Sequence, residues 1–65
     1  MDNVLQTEVL LNLLNTTLAK AIHFEDDALV KKINELRHAI YYSDFNYDET
    51  LDILKKINID LNNYE

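Results

Sequence analysis

Ile22-His23-Phe24-Glu25-Asp26-Asp27-Ala28 decides how this chain folds. Apolar residues on either side of it recur at helical spacing, and the two stripes stay nearly in phase across it. The chain has no glycine and no proline, the two residues that most often punctuate a fold. No obligatory breaker therefore stands at this point. If the stretch is helical, one long helix runs over 4–42 and a second helix completes the chain. If Glu25, Asp26 and Asp27 mark a helix N-terminus, where negative charge is favourable, the chain makes three helices. A helix of about 39 residues would be far longer than the usual 10–14. Three consecutive acids after an aromatic have the composition of a capping region. A three-helix domain is expected, with the long helix as the alternative.

Working outward, the apolar residues place each helix. At about 100° per residue, Val4, Leu10, Leu11, Leu14, Leu18, Ala21 and Ile22 fall within an arc of roughly 120°. A first helix is expected over 3–22, capped by Asp2 or Asn3, with Gln6 three residues after Asn3. Ala28, Leu29, Ile33, Leu36, Ala39 and Ile40 form the stripe of a second helix over 27–42. Ser43-Asp44-Phe45-Asn46 is a turn, and Asn46 with Glu49 has the spacing of a capping box. Tyr47, Leu51, Leu54, Ile57, Leu61 and Tyr64, with Ile53 beside them, form the stripe of a third helix over 47–62. No segment alternates with period two, so the fold class is all-α. Residues 1–65 make one domain.

A domain of 65 residues buries only about 60% of the surface its unfolded chain exposes. Small domains gain stability from disulfides, a metal or a partner chain. The chain has no cysteine, which removes the first. His23 and His38 are fifteen residues apart, with no Cys and no His at i+3 or i+4, so no zinc site is expected. Asp44-Phe45-Asn46-Tyr47-Asp48 has the D-x-N-x-D start of a calcium loop. Glu49 stands where that loop needs glycine and Lys55 where it needs its bidentate glutamate, so capping accounts better for these side chains. No cofactor is expected, and the remaining source of stability is self-association or a binding partner.

The first helix carries a second apolar strip, Leu5, Val9 and Leu13, nearly opposite its main stripe. This strip is expected to form a homodimer interface. The competing account is that the first helix is central, with the other two on either side, and needs two apolar faces for that reason. Phe45 and Tyr47 are expected to pin the turn onto the core, and Ile59 to be exposed.

The net charge is −6. Residues 2–24 and 25–43 each contribute −1, and residues 44–65 contribute −4. An acidic chain repels phosphates and anionic lipid, so neither direct nucleic-acid binding nor membrane binding is expected. A protein partner with a basic surface is favoured. Tyrosine gives large contact area at low entropic cost, and Tyr41 and Tyr42 precede the acids Asp44, Asp48, Glu49 and Asp52. These six residues are the candidate partner-binding set.

No serine or threonine hydroxyl is placed beside a histidine, and so small a helical domain does not easily build a dry pocket in which to shift a carboxylate. Catalysis is not expected. Asp2 and the interruption of Val9–Leu14 by Asn12 are unlike a secretory signal, and a cytoplasmic location is expected. The function expected is that of a small acidic protein–protein interaction module: a regulator or inhibitor of the antirepressor, phage-inhibitor or immunity-protein kind. The alternative is a structural or assembly subunit of a larger helical complex.

Overall fold

Glu25 settles the question posed by residues 22–28. Its backbone takes the left-handed conformation, φ 56°, and the helix stops there. The Asp26 N–H donates to the Ala21 carbonyl at 3.1 Å and the Glu25 N–H to the Ile22 carbonyl at 3.0 Å. This crossed pair is the Schellman closure of a helix C-terminus. The Asp26 carboxylate then accepts from the Leu29 N–H at 3.1 Å and caps the next helix. One residue thus closes one helix with its N–H and opens the next with its side chain. The continuous helix over 4–42 is excluded.

The computed structural model describes residues 3–63, which form α1 (Asn3–His23), α2 (Asp27–Tyr41) and α3 (Tyr47–Asn62). No strand occurs among the described residues. Each described boundary lies within one residue of the sequence expectation. Asp2, an expected cap of α1, lies outside the described residues, as does Tyr64 of the α3 stripe.

The second junction repeats the first. Ser43 is left-handed, φ 58°. The Asp44 N–H donates to the Ala39 carbonyl at 2.8 Å and the Ser43 N–H to the Ile40 carbonyl at 3.1 Å. Asn46 then caps α3, its Oδ1 accepting from the Glu49 N–H at 2.9 Å.

Leu10, Leu14 and Ala21 of α1, Ile33 and Ile40 of α2, and Leu54 and Leu61 of α3 form the buried core. Phe45 and Tyr47 pack against it from the second junction, as expected. α1 packs closely against both other helices, while α2 and α3 approach each other less closely. The central placement of α1 is therefore the observed one. The C-terminal halves of α1 and α3 lie side by side, so the path is up, down, up. The molecule is elongated, 38 × 17 × 15 Å.

Three expected core residues are not core. Val4 and Ile22 are 67% and 58% exposed, and Ala28 is exposed in the first turn of α2. The buried face of α1 is turned toward Thr17, which is fully buried. Val4 and Ile22 sit about 100° from the middle of that face, at opposite ends of the helix.

Thr17 is buried because it is fully bonded. Its Oγ1 donates to the Leu13 carbonyl at 2.7 Å and accepts from Asn58 Nδ2 at 2.6 Å. Lys20 Nζ then donates to Asn58 Oδ1 at 2.8 Å and to Asn62 Oδ1 at 3.1 Å. This polar ladder sets the register of α1 on α3, since a slip would leave buried polar atoms unpaired.

Candidate functional site

Helical spacing puts His38 and Tyr42 one turn apart at the end of α2, with Tyr41 beside them. The rings form a row. His38 stacks on Tyr42 at 5.9 Å and 20°, and Tyr42 meets Tyr41 at 5.9 Å and 50°. The two tyrosines are 81% and 72% exposed. α2 ends here because Ser43 turns the backbone, so the row stands at the tip of a helix and not along its flank.

An open cleft of about 470 Å³ lies between α1 and α2 at this end, lined by Leu11, Asn15, Arg37, His38, Tyr41 and Tyr42. Leu11 and the rings of His38, Tyr41 and Tyr42 give it apolar and aromatic surface, and Arg37 supplies a guanidinium able to grip a carboxylate. His38 and Arg37 were within reach of the sequence, since both are one turn from a tyrosine. Leu11 and Asn15 were not, because they arrive from α1 across the helix pair.

The acidic members of the candidate set lie elsewhere. Asp44 is in the junction, and Asp48, Glu49 and Asp52 occupy the first turns of α3; all four are exposed. Asp48 and Asp52 share one face at i, i+4 spacing. None of the four lines the cleft. Asp44 also serves the fold, because its N–H closes α2.

The apolar strip of α1 is divided. Leu5 and Val9 are exposed, at 57% and 40%, whereas Leu13 is half-buried and packs against the core. Leu13 therefore belongs partly to the fold. His23 meets Phe24 edge to face at 5.2 Å. Among the described residues, no group of three or more His, Cys, Asp and Glu is placed to hold a metal ion. No helix of the described residues is long and apolar enough to cross a membrane. No protein-family model, curated protein or solved structure matches the chain.

Proposed function

We propose that this chain is a cytoplasmic protein–protein interaction module, a homodimeric regulator or inhibitor that binds a basic surface of another protein and acts by binding, not by catalysis. The observation that carries this reading is the exposed pair Tyr41–Tyr42 on the rim of an apolar cleft. Aromatic rings left in water at a helix tip are the kind of residue that dominates interface energetics when buried by a partner. The acids begin immediately afterwards, and residues 44–65 carry −4 of the net −6. That charge attracts a basic surface and repels nucleic acid. The division of labour is physical: exposed acids accelerate encounter, and desolvated aromatics hold the complex. Self-association is supported by the small core and by the exposed Leu5 and Val9 on α1.

Affinity capture with the wild-type chain and with Tyr41→Ala/Tyr42→Ala as baits tests the reading. A stoichiometric protein with a basic surface should be retained by the wild type and lost by the variant. A partner retained equally by both baits, or one with an acidic contact surface, contradicts it.

A further inference from the structure

Each lysine of this chain has a carboxylate one helical turn away or a bonded amide oxygen. Lys31 stands one turn from Asp27 and Glu35, Lys32 from Glu35, Lys55 from Asp52, and Lys56 from Asp52 and Asp60, the spacing at which helical side chains meet. Lys20 donates to Asn58 and Asn62. Arg37, the one arginine, has neither. The residues one turn from it are Ile33, Asn34, Ile40 and Tyr41, and among the described residues its guanidinium has no hydrogen bond or ion pair. Glu35 lies two residues away, on another side of α2. A chain with twelve acidic and six basic residues thus leaves its arginine without a carboxylate, and does so in the cleft between α1 and α2.

The cleft has two ends of different chemistry. α1 and α2 run antiparallel, so Asn15 and Arg37 share one end and Leu11 and Tyr41 the other, about 6 Å apart along the helices. The first end offers the Arg37 guanidinium and the Asn15 side-chain amide, which is also unbonded among the described residues. Planar donors of this kind suit a carboxylate. The second end offers Leu11 and the Tyr41 ring, and suits a large apolar side chain. No Asp or Glu lines the cleft, so it favours an anion although the whole chain carries −6. Its two ends are separated by about the rise of one helical turn, and a groove between two helices is a seat for the apolar face of a third. A small molecule needs most of its surface covered, whereas Tyr41 and Tyr42 stay 81% and 72% exposed.

We propose that this cleft seats one turn of a partner helix, a carboxylate on Arg37 and Asn15 and a large apolar side chain between Leu11 and Tyr41. The inference rests on the protein-binding reading above and names what the partner carries there: an acidic and an apolar residue one turn apart, set within its otherwise basic contact surface.

The test is an amide chemical-shift titration of the isotope-labelled full chain. The probe is an alanine-based peptide of about 15 residues, long enough to form helix, blocked at both ends, with one phenylalanine and one glutamate at i, i+4 spacing. It should shift the signals of Leu11, Asn15, Arg37, His38 and Tyr41. The same peptide with glutamine for glutamate should bind about tenfold more weakly, the loss of one charge-assisted pair. Arg37→Gln should weaken the glutamate peptide as much, with helix content kept, since Arg37 is exposed. The two changes together should cost no more than either alone, because both remove one contact. Equal binding of the two peptides, additive losses, or no shift at millimolar concentration overturns the proposal. N-acetylphenylalanine binding as tightly as the peptide gives the cleft to a small carboxylate and overturns the helix as occupant. Affinity capture separates this inference from the reading beneath it. A partner lost by Tyr41→Ala/Tyr42→Ala but held undiminished by Arg37→Gln overturns the carboxylate alone, and a partner held equally by all three baits overturns both.

Discussion

Glu25 and Ser43 hold left-handed backbone at φ 56° and 58°, where helix C-termini ordinarily place glycine. A side chain at such a position costs about 1–2 kcal/mol. Replacement by glycine relieves that strain but adds freedom to the unfolded chain. Glu25→Gly and Ser43→Gly should therefore each raise stability by about 0.5–1 kcal/mol, read as a higher urea midpoint at unchanged slope; a lower midpoint contradicts the account of these turns. Asp26 works in the opposite sense. Asp26→Ala removes the acceptor for the Leu29 N–H and should cost about 1 kcal/mol. Asp27→Ala, whose exposed carboxylate accepts no hydrogen bond in this way, should cost less than about 0.5 kcal/mol. At this scale the sequence was legible where side chains cap. Asn46 with Glu49 and the acids of 25–27 marked the helix starts. It was not legible where backbone alone acts, because nothing in Glu25 or Ser43 advertises a left-handed turn.

Among the elements, α1 holds the other two, and it is where sequence reading failed most. Its apolar residues extend over more of its circumference than one buried face needs. Val4 and Ile22 read as core because they are aliphatic and in phase, yet they stand at the ends of α1 and are exposed. Thr17 has no place in the apolar stripe, yet Asn58 reaches across to bond it inside. A helical wheel cannot see a partner on another helix. Asn58→Ala tests that ladder. It leaves Lys20 and Thr17 short of a partner and should cost about 1–3 kcal/mol. Ile59→Ala, next along the chain but 61% exposed, should cost under about 0.5 kcal/mol. Equal losses in thermal or urea unfolding would deny the ladder its role in register.

The whole molecule is a narrow bundle whose surface is divided by chemistry. α1 shows water an outer stripe without charge, the end of α2 shows aromatic rings, and α3 begins in a cluster of acids. The sequence made the tyrosines and acids visible as residue types. The cleft joining Tyr41 and Tyr42 to Leu11 and Asn15 depends on how α1 and α2 pack, and could not be read from periodicity. The central claim is that this tip is a binding surface in which acids govern encounter and tyrosines govern residence. The competing physical account is that Asp48, Glu49 and Asp52 only offset the helix dipole of α3. Association and dissociation rates with the captured partner, measured across salt concentration, separate the two. Charge at the rim is screened over about 8 Å at physiological salt. Asp48→Lys/Asp52→Lys should therefore slow association and flatten its salt dependence, with the fold intact. Tyr42→Ala keeps the backbone bond that ends α2 and should speed dissociation about tenfold or more, the ~1.4 kcal/mol of a buried aromatic anchor. Wild-type rates in both variants would contradict the claim and move the binding face elsewhere on the bundle.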